Sequence, residues 1–175
     1  MPDIYCDMDG VLVDLLHGYR IVTGECLTNL RGAGDEKWDA AIDAPNFWQN
    51  LPMARDASHL MVYLAATTPP EKLFILSAPQ HCFPTCVADK KSWIEDNTTI
   101  FCPTRVNIVK RKLKAEFAMR PDGTPNILID DYQKNIDEWV DAGGIGVIHT
   151  DTQSTIAQIN DYRLVKNARV SLPTR

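Results

Sequence analysis

Two aspartates, Asp7 and Asp9, follow the apolar run Ile4-Tyr5-Cys6. Residues i and i+2 of an extended chain face the same way. Two carboxylates held that close repel unless a cation sits between them or one keeps a proton. The first state is metal chemistry and the second is acid–base chemistry. Gly10 then allows a sharp turn without a Cβ penalty. Taken alone, an Asp-x-Asp pair also reads as a polar strand end or a turn.

The pattern recurs. Ile127-Leu128-Ile129 runs into Asp130-Asp131. Magnesium takes oxygen ligands, often one or two carboxylates with water and phosphate, and two strands ending in aspartate pairs supply such a set. Either Asp130 or Asp131 also reads as an N-cap for the helix that starts at Gln133, but capping does not explain the recurrence at Asp7 and Asp9. A third apolar run, Leu73-Phe74-Ile75-Leu76, ends in Ser77-Ala78-Pro79, where a hydroxyl would suit a phosphoryl oxygen or simply end a strand. Arg105, Lys110, Arg111, Lys112, Lys114 and Arg120 lie close together against Glu116 alone. That stretch reads as a phosphate-neutralising field or as a solvated helix face. His81, Cys82 and Cys86 are too few for structural zinc, which usually takes four ligands. Cys6, Cys26, Cys82, Cys86 and Cys102, an odd count, read as ordinary thiols in a reducing compartment.

Elements must bring these residues together. Strands are expected at Ile4–Cys6, Leu73–Leu76, Val106–Val109, Ile127–Ile129 and Gly146–His149, each a continuous apolar run of the kind found in a sheet covered on both faces. Helices are expected at Ala57–Ala66, Cys86–Asp96, Gln133–Ala142 and Asp151–Tyr162. The alternation predicts an α/β fold with a mainly parallel sheet, and open sheets of that class carry their sites at the carboxyl ends of the strands. From about Leu15 to Pro52 the rhythm breaks. Glycines, Trp38, Phe47 and Trp48 appear without a convincing strand, which reads as a small helical insertion forming a minor core or a substrate-facing cap.

The chain has 175 residues, of which 45% are apolar and 23% charged, with a formal charge of −5. One domain with an insertion is expected, and disorder is excluded. No apolar run reaches the ~20 residues a membrane span needs, and no export signal is expected, so the reading is cytoplasmic. The net acidity argues against a polynucleotide or anionic membrane partner.

Taken together, Asp7-Met8-Asp9-Gly10-Val11-Leu12-Val13-Asp14, Ser77, the basic stretch and Asp130-Asp131 resemble, in order and spacing, the four motifs of the haloacid dehalogenase-like phosphatase superfamily. The first and fourth motifs are the specific ones. The resemblance spans residues 4 to about 150 and includes Asn135-Ile136 and Gly143-Gly144-Ile145-Gly146. Phe47-Trp48-Gln49-Asn50-Leu51-Pro52 and Ile75-Leu76-Ser77-Ala78-Pro79 are most similar to the 5'(3')-deoxyribonucleotidase group.

The resemblance implies a Rossmann-like three-layer sandwich. Residues 1–14 and 53–165 would form the core, 15–52 a small helical cap and 166–175 a loose tail. It implies a magnesium-dependent (Mg2+) phosphatase acting on a small phosphate ester, here a nucleoside monophosphate, deoxy forms included. Asp7 would be the nucleophile and Asp9 the proton donor and base. Asp7, the main-chain carbonyl of Asp9 and Asp131 would hold the metal, with Asp130 in support. Ser77, Ala78 and a lysine would hold the phosphoryl oxygens. That lysine is Lys112 by spacing from the Val106–Val109 strand, or Lys114 by the Lys114-Ala115-Glu116-Phe117-Ala118 run, which we favour; Lys110 is a third choice. Phe47 and Trp48 would stack on a base or line its pocket. Arg120–Pro125 lengthens the connection to the fourth motif. The alternatives are another small ester or a nucleic-acid 3'-phosphate as substrate, and a catalytically silent binding protein of the same fold.

Overall fold

Residue alternation along the apolar runs sets the layers. The computed structural model describes residues 1–25, 36–80 and 85–170, with the backbone alone described at 37 and 165–170. Strands β1 (Ile4–Cys6), β2 (Leu73–Ser77), β3 (Val106–Ile108), β4 (Ile127–Asp130) and β5 (Ile145–Ile148) form one all-parallel sheet of order β3-β2-β1-β4-β5. Ile4, Cys6, Ile75, Ile127 and Ile129 face one core, which includes Leu60, Leu64, Trp93, Ile94 and Ile159. Tyr5, Leu76 and Leu128 face the other, with Ile136 and Trp139. Both faces are covered, which is why the strands read as unbroken apolar runs.

Helices α3 (Ala57–Thr67), α4 (Cys86–Asn97) and α6 (Thr152–Val170) contribute to the first core. Helix α5 (Gln133–Asp141) and a stretch of 3-10 turns, Arg111–Phe117, contribute to the second. The basic stretch is therefore not a solvated α-helical face. Helix α6 continues to Val170, past the expected end at Tyr162 and through the first residues of the expected loose tail; residues 171–175 lie outside the described residues. Arg120–Pro125 forms a turn closed by a bridge between Met119 and Pro125.

The insertion leaves and rejoins the sheet domain through a narrow stem. After β1 the chain winds tightly: the Leu12 and Val13 amides both donate to the Met8 carbonyl, at 2.8 and 3.0 Å. Val13 pairs antiparallel with Met53. The Asp14 amide donates to the Pro52 carbonyl and the Ala54 amide to that of Leu12, so both ends of the insertion are clasped together. Between them lie α1 (Leu15–Thr23), capped by Asp14, whose side chain accepts from the His17 amide, and α2 (Glu36–Ile42). Tyr19 of α1 stacks on Trp38 of α2 with ring centroids 5.7 Å apart. Where described, the insertion carries these two helices and then turns through residues 43–50, and its buried residues Tyr19, Trp38, Ile42, Phe47 and Trp48 join the main core. The Trp93 indole donates to the Leu51 carbonyl at 2.7 Å, fastening the end of the insertion to α4.

The strand order places the site. The chain builds outward from β1 to β3, then crosses back to add β4 on the other side of β1. The crevice beyond the carboxyl ends of β1 and β4 is thus the switch point where ligands of such sheets bind. Asp7 follows β1 directly, and its amide still pairs with Ile129 of β4 at 2.8 Å. Asp130 is the last residue of β4.

Candidate active site

Three carboxylates meet at that crevice. Asp7, Asp130 and Asp131 each offer an oxygen, and these oxygens all lie within 4.8 Å of one another. Lys114, buried in the 3-10 turns, spans two of them. Its ammonium is 2.9 Å from Asp7 Oδ2 and donates to Asp130 Oδ2 at 2.7 Å. Burial alone would lower the lysine pKa, and the two carboxylates outweigh it, so the ammonium stays charged.

The environments of the aspartates differ. Burial pushes the Asp7 carboxyl up, but the Lys114 and Lys90 ammonium groups, with hydrogen bonds from Lys114 and the Met8 amide, bring it below the usual carboxylate range. Asp130 is pushed up to about 6 by burial and by Asp7, against the pull of Lys114. Asp131 is pushed up to about 7 by desolvation, then by Asp7 and Asp130. Among the described residues Asp131 takes part in no ion pair. Asp130 is held firmly. Its Oδ1 accepts from the Tyr132 amide at 2.9 Å, and both oxygens accept from the Asn135 side-chain amide. The Asn135 carbonyl oxygen in turn accepts from Arg111, which forms a two-pronged ion pair with Glu138. The N-cap of α5 is Tyr132, so neither Asp130 nor Asp131 caps that helix; Asp130 holds the Tyr132 amide just before it and faces Lys114 as well.

Gly10 fits against Asp131. Its φ is +72°, and a Cβ built there would lie 2.0 Å from Asp131 Oδ2. A side chain is excluded both by the backbone conformation and by the close approach.

Asp9 is turned elsewhere. Its Oδ2 accepts from the Lys90 ammonium at 2.5 Å, while its Oδ1 is buried with no hydrogen-bond partner. Burial raises its pKa, Lys90 opposes, Asp7 adds to the rise, and the net shift is upward. The Asp9 carboxylate is accordingly not part of the Asp7–Asp130–Asp131 cluster. Ser77, fully buried at the end of β2, accepts from Lys90 through Oγ at 3.1 Å, and the Ala78 carbonyl accepts from it at 3.0 Å.

Of the three lysines considered from sequence, Lys114 alone reaches these carboxylates. Lys110 and Lys112 are exposed, and Lys112 acts electrostatically on Glu138 instead. Lys112, expected to help hold substrate, stands on the surface and among the described residues makes no ion pair with this cluster. Phe47 and Trp48 require a correction. They are 4% and 1% exposed and pack edge to face within the main core, with centroids 5.2 Å apart. Neither presents an open face to a base. The Trp48 ring instead lies under the Lys90 ammonium, 4.9 Å from its centroid.

Lys90 is the site residue that the sequence reading missed. It lies in the polar run Asp89-Lys90-Lys91, yet Cys86, Asp89, Lys90, Trp93 and Ile94 are the buried residues of α4. Their spacing of three and four is the pattern of a core-facing stripe, and a lysine inside that stripe was the available signal. Of the thiols, Cys6 and Cys86 are buried, Cys102 is half-buried, and all three are free; Cys26, His81 and Cys82 lie outside the described residues.

A cleft of about 510 Å³ opens beside the site. Gly10 and Asp131 line it, with the start of α1, Arg55 and the His149–Thr152 loop, whereas Asp7 does not. Among the described residues no helix is long and apolar enough to cross a membrane. No protein-family model matches the chain, and no curated protein matches it.

Proposed function

We propose that this protein is a magnesium-dependent phosphatase of the haloacid dehalogenase-like kind, hydrolysing a small phosphate monoester through an aspartyl-phosphate on Asp7. The observation that carries the reading is Lys114, whose buried ammonium bridges Asp7 and Asp130 beside Asp131. A carboxylate nucleophile needs to stay ionised and to be aimed, and a paired buried lysine does both.

The residues fit a hard cation. Three oxygen donors converge, and burial first, then their mutual repulsion, raises the pKa of Asp130 and Asp131 despite the ammonium of Lys114. Asp7 and Asp131 would hold magnesium, with Asp130 in support. Bound there, the metal would neutralise charge on the phosphoryl group.

The protein's own groups then account for the steps. An Asp7 oxygen attacks phosphorus, and the ester P–O bond breaks. Asp9 gives a proton to the leaving oxygen. In the second half Asp9 takes a proton from water, the water oxygen bonds to phosphorus, and the acyl phosphate bond breaks to return the Asp7 carboxylate and inorganic phosphate. Lys114 offsets the charge that develops on the phosphoryl oxygens.

Nucleoside monophosphates, deoxy forms included, are the substrates that the sequence resemblance favours. A second reading, another small phosphate ester, is favoured by the burial of Phe47 and Trp48, which leaves no exposed aromatic face from this pair. Phosphate release from a panel of nucleoside monophosphates and sugar phosphates, with magnesium and with EDTA, tests both. Preferential hydrolysis of nucleotides supports the nucleotidase reading, and equal efficiency leaves the general phosphatase. No magnesium-dependent release from any ester contradicts the proposal.

A further inference from the structure

We infer that Lys90 is a positioning residue for proton transfer, fixing the orientation of the Asp9 carboxyl; this rests on the phosphatase reading above. Lys90 has no exposed surface, whereas its neighbour Lys91 is exposed. A buried ammonium is costly unless its hydrogens are all satisfied. Here they are: Lys90 donates to Asp9 Oδ2, Ser77 Oγ and the Ala78 carbonyl, at 2.5, 3.1 and 3.0 Å. An ammonium has three N–H groups, so none is left for a phosphoryl oxygen. The Trp48 ring lies against the same group. Lys90 is thus separate in role from Lys114, whose partners are Asp7 and Asp130.

The consequence falls on Asp9. Two of the three acceptors, Ser77 Oγ and the Ala78 carbonyl, belong to the end of β2 and its exit. They form a rigid seat that sets where the ammonium stands, and the ammonium sets where Oδ2 stands. Oδ1 is left buried and without a partner. Among the described residues the Asp9 carboxyl thus accepts one hydrogen bond, from Lys90, and its orientation rests on that anchor.

Because Lys90 acts through Asp9, its loss matters only where Asp9's proton matters. The Lys90→Met variant keeps the length of the side chain and removes the ammonium. With a nucleoside monophosphate, whose alkoxide leaving group needs a proton, its kcat should fall by about 10²-fold or more. With dinitrophenyl phosphate, whose leaving group needs none, the single-turnover burst of dinitrophenolate should fall by less than about fivefold. Added to Asp9→Asn, Lys90→Met should cost less than about a further threefold, since coupled residues are not additive. The double variant also removes both partners of the ion pair, so its melting curve separates misfolding from mispositioning. Equal losses on the two esters, or losses that multiply with Asp9→Asn, would overturn the inference while the phosphatase reading stands. A wild type that releases no phosphate from either ester would overturn both.

Discussion

Gly10 and Asp131 come from different ends of the sequence and meet so closely that a Cβ on residue 10 would sit 2.0 Å from Asp131 Oδ2. The contact joins the turn after β1 to the end of β4. Gly10→Ala would meet two penalties. The φ of +72° costs a non-glycine residue about 1–2 kcal/mol, and the new methyl displaces the Asp131 carboxylate from the cluster. We expect a lower Tm and a weaker magnesium dependence of turnover, the second exceeding what the first explains. A variant with wild-type magnesium titration would show that Asp131 is not needed where it stands.

Lys114 should dominate the basic stretch. Removing it leaves Asp7 and Asp130 as uncompensated buried charges, a change that typically costs about 3–5 kcal/mol. Lys114→Ala should lose both stability and turnover, whereas Lys110→Ala and Lys112→Ala, at exposed positions, should stay within about 0.5 kcal/mol of wild type. Melting curves and phosphate release for the three variants decide this, and three equal, mild effects would return the stretch to a solvated surface.

Much of the fold was legible because both faces of the sheet are covered. Ile4–Cys6 was found at its observed ends, and the other strands lie within a residue of expectation, since continuous β-branched runs leave little freedom in placing a buried strand. Helix α6 outran its prediction: the expected end at Tyr162 took Lys166 onward for a polar tail, although Leu164, Val165, Ala168 and Val170 continue the apolar residues. The aspartates were visible as pairs at strand ends. The lysine was not resolved, because Lys110, Lys112 and Lys114 are near neighbours, and only the docking of the 3-10 turns against β1 and β4 separates them. Lys90 was hidden by its charge: a lysine in a polar helix reads as solvated until Asp9, Ser77 and Ala78 are seen to enclose it. Trp48 failed in the opposite sense, since an aromatic residue in an insertion reads equally as binding surface or core.

Trp48 should behave as core. With 1% exposure, Trp48→Ala should cost about 3–5 kcal/mol. Trp48→Phe should cost less, because the indole nitrogen has no hydrogen-bond partner to lose. Neither should change the ratio of kcat/KM between a nucleoside monophosphate and a sugar phosphate. A loss of nucleotide preference at unchanged Tm would restore the stacking role.

Metal-free stability should carry the mark of Asp131. Its carboxyl, pushed up to about 7, would titrate near 4 in the unfolded chain. Between those values the native state holds a proton that the unfolded chain has released. The associated stability is full below about pH 4 and is lost as pH rises through about 7. Asp130, raised to about 6, acts in the same sense. His149, lowered by burial, acts oppositely below its ordinary value, so the comparison is with Asp131→Asn, which shares that histidine. In EDTA the variant should melt above wild type at about pH 8, and the gap should close by about pH 4. A gap that does not depend on pH would show that Asp131 is already ionised in the native state without metal.

The central claim is that Asp7 carries the phosphoryl group. Rapid acid quench during turnover of a phosphate-labelled ester with magnesium, followed by peptide mapping, reads it directly. We expect label on the peptide containing Asp7, lost on treatment with base or hydroxylamine, absent with EDTA and absent in Asp7→Asn. Turnover that persists at the wild-type rate in Asp7→Asn, or label on another residue, would contradict the account.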